Sequence, residues 1–335
     1  MKIAFFELFK LEEEVLEGFF AGFDVSYSEE KLTIENVSNY KDAEIISVFV
    51  NSVVDKNIID TMPNLKFINT SSTGYDHIDV AYCKEKGINV SNVPAYGSVT
   101  VAEFAFALLL DLARKTTMAN NQLRQEDDFK ITEFRGFDLN GKTLGVIGTG
   151  KIGKNVIKIA KGFGMEVFAY DLFPDFNFAN ANNFLYKDLE EILSTSDVLT
   201  LHAPFSKENF HLINKESISK MKKGVYIINT ARGELVDTNA LVWGLKERII
   251  AGAGLDVLEG ERDLKEEIKV LSNSETGVLK DYKTLLEDHV LIDMPNVIVT
   301  PHIAFYSKEA EHEIIKTTEE NIKGFIDGNL QNLIK

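Results

Sequence analysis

A short apolar run, residues 144–147, leads straight into Gly148-Thr149-Gly150-Lys151-Ile152-Gly153 and then into a helix-like segment, 154–163. No other feature restricts the chain as much, because three glycines at this spacing suit a strand, a tight turn and a helix that packs back on the strand. Gly148 permits the turn, Gly150 lets backbone N–H groups approach a pyrophosphate, and Gly153 lets the helix lie close to the sheet. The N-terminus of that helix presents a partial positive charge to the phosphates. A glycine motif alone is weak evidence, but the next strand-like run, 166–170, ends at Asp171, 18 residues beyond Gly153. A carboxylate there accepts hydrogen bonds from the adenosine ribose and repels a 2′-phosphate. Leu172, Phe173, Pro174 and Asp175 follow without an Arg, so NAD is expected rather than NADP.

The rest of the chain fits a parallel-sheet protein. Strand-like runs at 2–8, 44–50, 65–70 and 88–93 alternate with helix-like segments. From Ser98 to about Gln125 apolar residues recur at helical spacing (Val101, Ala105, Leu108, Leu109, Leu112) with no Pro or Gly, which reads as one long helix joining two units. A second series follows at 143–147, 166–170, 198–202, 225–230, 253–257 and 297–300, enough for a six-stranded nucleotide-binding sheet. The helix expected over 307–326 is assigned back to the first unit. Two domains are therefore expected, 1–98 with 302–335 and 99–301, in keeping with 335 residues against the roughly 250 to 300 at which single cores stop growing. Residues 261–293 are charged and without strand periodicity, and read as an insertion that decorates the surface.

Composition removes several classes of function. A net charge of −16 without a Lys/Arg block makes nucleic acid and anionic membranes poor partners. Glu7 and Glu12 to Glu14 break the apolar N-terminus, which reads as a first strand and not as a signal-peptide core. The longest apolar stretch, 104–110, falls far short of the roughly 20 residues that span a bilayer. Cys83 is the only cysteine and reads as a small buried residue, so no internal disulfide is expected and the cytoplasm is the default location. Neither the cysteine nor the six histidines show metal-ligand spacing, and no metal is expected. The acidity is uneven: residues 1–100 and 301–335 hold 12 basic against 22 acidic residues, whereas 101–300 hold 24 against 30. Anionic ligands must then be drawn in by local groups.

Those groups stand just beyond the C-terminal ends of expected strands, where an open parallel sheet gathers its ligands. Arg232 follows one strand, Asp256 and Glu261 the next, and His302 the last. An Arg offers a planar fork that pairs a carboxylate bidentately. An imidazole held by a carboxylate keeps its proton more firmly and can deliver it to an alkoxide created by hydride attack. Together they suggest hydride transfer at a carbonyl next to a carboxylate. The other histidines read more plainly: His77 as a surface residue, His202 as a strand-end residue with a structural hydrogen bond, and His211, His289 and His312 as residues without an identifiable partner. Trp243 reads as core.

Residues 229–237 (Asn-Thr-Ala-Arg-Gly-Glu-Leu-Val-Asp), 254–261 (Gly-Leu-Asp-Val-Leu-Glu-Gly-Glu) and 300–306 (Thr-Pro-His-Ile-Ala-Phe-Tyr), with the glycine motif, Asp171, His202-Ala203-Pro204 and Ser72-Thr73-Gly74-Tyr75-Asp76, resemble the D-isomer-specific 2-hydroxyacid dehydrogenase family over nearly the whole chain. The resemblance implies an α/β protein of two doubly wound parallel-sheet domains, a Rossmann NAD-binding domain inserted in a flavodoxin-like substrate (catalytic) domain. It implies Arg232 as substrate binder, Glu261 as partner of the histidine and His302 as acid/base. It places Gly148, Gly150, Lys151, Ile152, Gly153, Asp171, Ala203, Pro204, Asn209, Thr230, Ala231 and Asp256 at NAD. Val93-Pro94-Ala95-Tyr96 and Ala304-Phe305-Tyr306 resemble the D-lactate dehydrogenase branch, which implies Tyr96 as a substrate contact and Thr73 and Gly74 as donors to the substrate carboxylate. Pyruvate and D-lactate are the expected pair, in a homodimer whose domains close over the substrate by hinges near Gly97 and Pro301. Glyoxylate or hydroxypyruvate reduction is the alternative chemistry. An NAD-sensing regulator on the same fold is the alternative of another class.

Overall fold

The computed structural model describes residues 1–335 apart from Phe9, Ala95, Asp127, Asp128, Lys130, Arg262, Asp263, residues 265–281 and Lys335. The chain divides into two compact units, 1–97 with 306–335 and 98–305.

The first unit is built on five parallel strands, β1 (Lys2–Phe5), β2 (Asp24–Tyr27), β3 (Ile45–Val48), β4 (Phe67–Thr70) and β5 (Asn89–Ser91), in the order β2-β1-β3-β4-β5. This is the flavodoxin-like doubly wound order, with its switch point between β1 and β3. β3 and β4 are buried on both faces, and so read as continuous apolar or small runs. β2 escapes a reading by periodicity because Asp-Val-Ser-Tyr is an edge strand of alternating exposure. The helix Lys308–Ile326 covers one face: Ile315 and Ile322 pack with Phe5, Ile45 and Phe67, and Phe325 stacks on Phe67 at 4.6 Å. Ser307 caps it by accepting from Ala310 N at 3.2 Å. Fully buried Ile322 alone contributes about 1.5–3 kcal/mol.

The second unit holds seven parallel strands: β6 (Thr143–Ile147), β7 (Glu166–Tyr170), β8 (Leu185–Tyr186), β9 (Val198–Leu201), β10 (Val225–Asn229), β11 (Ile250–Leu255) and β12 (Val297–Val299), ordered β12-β11-β10-β9-β6-β7-β8. From the β6/β9 switch point this is the Rossmann order. The strand beyond the expected six is β8, whose two residues pair with Phe168 and Ala169 and are too few to leave a pattern.

The long helix expected over 98–125 is two helices, Ser98–Arg114 and Thr116–Glu126. Lys115 between them has φ 54°. The Asp111 carboxylate accepts from Thr116 Oγ1 at 2.5 Å and Thr117 N at 2.8 Å, so it caps the second helix as the first ends. Residues 302–305, expected in the first domain, belong to the second unit because Ile303 and Ala304 donate to the Asp256 carboxylate at the end of β11. The end of the expected insertion is not decoration: the helix Tyr282–Asp293 buries Leu285, Asp288 and Leu291, and Leu291 joins the core with Leu241 and Leu245. Residues 262, 263 and 265–281 of that insertion, and Ala95 of the Val93–Tyr96 motif, lie outside the described residues. Among the described residues no helix is long and apolar enough to cross a membrane, and no group of His, Cys, Asp and Glu could hold a metal ion.

Candidate active site

The loop after β6 is shaped by missing side chains. Gly148 has φ +93°, and a Cβ on it would stand 2.6 Å from Ala203 N; a Cβ on Gly153 would stand 2.0 Å from Gly148 O. A Cβ on Gly150 would meet nothing within 4 Å, so this glycine keeps open space in front of the loop. Gly150 is also the N-cap of the helix Lys151–Gly162 and supplies no side-chain cap, which leaves first-turn N–H groups for an anion. Lys151 is exposed and Ile152 half-buried beside it.

Asp171, at the end of β7, accepts from Thr149 N at 2.6 Å, Thr149 Oγ1 at 2.9 Å and Phe173 N at 2.8 Å. Partial burial alone would raise its carboxyl, but these donors outweigh burial and hold it below the usual carboxylate range. Thr149 shares a hydrogen bond with Tyr186 of β8 at 2.9 Å, so the unexpected strand braces the acid. Ala203 is half-buried and Pro204 exposed at the end of β9. Asn209 spends its side chain on that loop, accepting from Ser206 N at 2.7 Å and donating to Pro204 O at 2.8 Å. The buried hydroxyl of Thr230 finds no partner among the described residues. An open glycine cradle, an acid at the next strand end and an orphaned hydroxyl fit a dinucleotide.

Three neighbouring strand ends bring the remaining polar residues together, since β10, β11 and β12 are adjacent. At the end of β10, buried Asn229 accepts from Ala231 N at 3.0 Å and donates to Arg232 O at 2.8 Å, which fixes the backbone that carries the guanidinium. Arg232 Nη1 donates to Ala231 O at 2.7 Å. A Cβ on Gly233 would stand 2.1 Å from Leu258 O, so the loop after β10 lies against the loop that leads to Glu261. Both Glu261 oxygens lie 3.1 Å from His302 Nδ1, which orients the ring and leaves Nε2 for another partner. His302 itself has φ 58°, a left-handed conformation uncommon outside glycine.

Asp256 holds that strained turn. It is 1% exposed and accepts from Thr300 Oγ1 at 2.5 Å, Ile303 N at 2.9 Å and Ala304 N at 2.8 Å, clamping the chain on both sides of His302. Burial raises its carboxyl above the usual range despite these bonds and the nearby imidazole. The resemblance counts Asp256 among the NAD contacts, yet its carboxylate is spent on the histidine loop.

Thr73, Gly74 and Tyr96 stand in the first unit. Thr73 Oγ1 donates to Val93 O at 2.9 Å and Thr73 O accepts from Asn92 Nδ2 at 2.8 Å, while Ser72 Oγ donates to Gly74 O at 2.6 Å. His77 is not a surface residue: it is 6% exposed, with Nε2 3.2 Å from Thr70 Oγ1, which in turn shares a 2.7 Å bond with Ser72. His202 is buried beside Thr200 Oγ1 at 2.8 Å, and burial pushes its pKa down to about 3. His211 has a partner after all, Glu259 Oε1 at 2.6 Å, and its ring stacks on Phe210. Cys83 is buried as expected, with its thiol raised to about 11 chiefly by burial. Trp243 is half-buried and packs on the core. Asn229, Thr149 and Asp288 were not singled out by sequence; Asn229 opens the Asn-Thr-Ala-Arg motif, which was the available signal.

A family model described as D-isomer specific 2-hydroxyacid dehydrogenase, NAD binding domain, matches residues 106–304. An aromatic 2-oxoacid reductase of Clostridium sporogenes is 39% identical over 292 residues, 86% of this chain and 84% of that protein. The D-lactate dehydrogenase of Escherichia coli is 36% identical over 323 residues, 95% of this chain and 94% of that one. Among solved structures, D-lactate dehydrogenase from Aquifex aeolicus complexed with NAD and lactic acid superposes with a TM-score of 0.88 at 35% identity, covering 99% of this chain and 98% of the other. With two parallel-sheet domains, a dinucleotide cradle and these matches, the chain belongs to the D-isomer-specific 2-hydroxyacid dehydrogenases and is an NAD-dependent enzyme of that family.

Proposed function

We propose that the enzyme interconverts pyruvate and D-lactate, with Arg232, Glu261 and His302 as its working side chains. The observation that carries the catalytic part is the His302 ring held by both Glu261 oxygens at 3.1 Å on a strand end two places from Arg232. NAD, when bound, supplies or accepts the hydride at C2. In the reducing direction Arg232 pairs the substrate carboxylate and polarises the carbonyl, and His302 gives its Nε2 proton to the oxygen as negative charge develops there. Glu261 holds the ring through Nδ1 and so fixes its orientation and tautomer. In the oxidising direction His302 takes the hydroxyl proton back.

Thr73 and Gly74 are assigned to the substrate carboxylate and Tyr96 to holding the 2-oxoacid, on the family resemblance. Gly148, Gly150, Gly153, Lys151 and Ile152 are assigned to the pyrophosphate, Asp171 to the ribose, and Ala203, Pro204, Asn209, Thr230 and Ala231 to the rest of NAD, whereas Asp256, which the resemblance also implies there, is assigned to holding the His302 turn. A cytoplasmic homodimer belongs to the same proposal, and light scattering of the purified enzyme tests the dimer. The near-complete coverage of D-lactate dehydrogenases supports the pyruvate assignment. The Clostridium relative supports a second reading, an aromatic 2-oxoacid such as phenylpyruvate. Retention of Arg232, Glu261 and His302 speaks against an NAD-sensing regulator.

NADH oxidation is to be measured with pyruvate, 2-oxobutyrate, 2-oxoisocaproate, phenylpyruvate, hydroxypyruvate and glyoxylate. Pyruvate is expected to give the highest kcat/KM. A higher value for phenylpyruvate replaces the assignment with the aromatic one, one for hydroxypyruvate or glyoxylate with a reductase of those acids, and no turnover of any removes it.

A further inference from the structure

The helix Tyr282–Asp293 presents Leu285, Asp288 and Leu291 to the interior, three residues on one face. Two are ordinary core residues; the middle one is an acid with 0% exposure. Asp288 Oδ2 accepts from Gly260 N at 3.1 Å, and Oδ1 is buried with no hydrogen-bond partner among the described residues. A leucine would fill such a position without cost, whereas a carboxyl with one bond loses most of its hydration. The ionisable groups that act on it are Glu259 from the loop it faces and Glu287 and His289 from its own helix; Glu287 accepts from Asn239 Nδ2 at 2.6 Å. Burial, helped by Glu259 and Glu287 against the Gly260 N–H and His289, pushes the Asp288 carboxyl up to about 7.

Its one donor is the backbone amide next to Glu261. A Cβ on Gly260 would stand 2.4 Å from Asp288 Oδ2 and 3.2 Å from Thr284 Cγ2, so the glycine is what allows the carboxyl to reach the amide. The preceding residue is fastened independently: Glu259 accepts from His211 Nε2 at 2.6 Å and from Thr238 N at 3.3 Å. The short segment before Glu261 is thus held at consecutive residues from different elements.

We infer that Asp288 is a positioning residue for the reaction: by holding the Gly260 N–H it sets where the Glu261 carboxylate meets His302. The inference rests on Glu261 and His302 being the acid–base pair. Asp288→Ala should lower kcat about 10-fold, the size of one hydrogen bond, while KM for NADH stays within about 2-fold. Asp288→Asn, whose amide oxygen can still accept from Gly260, should restore kcat to within about 2-fold of the parent. Because the effect passes through Glu261, Asp288→Ala should cost no further activity in a Glu261→Gln background, which a merely structural role would not reproduce.

Gly260→Ala crowds the same carboxyl and should reproduce the kcat loss if Asp288→Ala does not fold. Unchanged kcat in the foldable variant of the two, an equal loss in Asp288→Asn, or full additivity with Glu261→Gln overturns the inference while leaving the acid–base pair standing. Wild-type kcat in Glu261→Gln alone overturns the pair, and this inference with it.

Discussion

Two loops of the second unit do opposite things with the same backbone problem. After β6 the chain turns through positive φ at Gly148 and makes room by having no side chains at Gly148, Gly150 and Gly153. After β12 it also turns through positive φ, but the residue there is His302, and three hydrogen bonds to Asp256 hold it in place. The first loop has to leave space for a ligand, so atoms are removed. The second has to deliver a side chain, so the strain of a left-handed histidine is accepted and offset by over-determination. Their acids differ accordingly: Asp171 is lowered by its donors despite partial burial, whereas Asp256 is raised by burial despite its donors.

The contrast breaks most sharply at the delivered side chain. His302→Ala should reduce kcat by about 10²–10⁴, the usual worth of a general acid, with NADH affinity retained. Stopped-flow kinetics with NADH fluorescence titration measures both, and an undiminished kcat takes His302 out of the chemistry.

The cradle should respond in two separable ways. Gly153→Ala forces a methyl against Gly148 O and should cost about 2–3 kcal/mol, a fall in Tm of roughly 5–10 °C. Gly150→Ala meets no protein atom and should leave Tm within about 2 °C, yet weaken NADH about 10-fold by filling the phosphate space. Calorimetry beside NADH titration distinguishes them; equal Tm losses would mean that Gly150 is not open.

The smallest effect concerns pH. A carboxyl lowered in the folded state contributes stability above its unfolded pKa, about 3.9, and loses it as pH falls through the folded value. Asp171→Asn should therefore have a lower Tm than the parent at pH 7, and the gap should close as pH drops below about 4. A gap that is constant with pH would deny Asp171 its ionised role.

What could be read in advance follows burial. β6 and β7 are legible to the residue because buried parallel strands leave unbroken apolar runs ended by glycine or acid. β2 and β8 are not, one an edge strand and the other two residues long. The break at Lys115 escaped notice because its cause is a side-chain cap from Asp111, and apolar spacing does not register caps. Arg232, Glu261 and His302 stand beyond strand ends, where a parallel sheet keeps its polar residues, but the family motifs around them are what single them out and give them roles. Asp288 and His77 could not, since an acid in a charged segment and a histidine beside a loop both look solvated until the fold buries them.

The first unit is discontinuous, closed by a helix made after the whole of the second unit. On the ribosome, at about 5–20 residues per second, the helix Lys308–Ile326 emerges roughly 10 to 40 seconds after β5. During that interval Phe5, Ile45 and Phe67 lack the Ile315 and Ile322 that cover them. The second unit is contiguous and can close its core in the meantime, so the nascent chain carries an apolar sheet face that Leu16 and Phe20 cover only in part, a surface open to aggregation and chaperones.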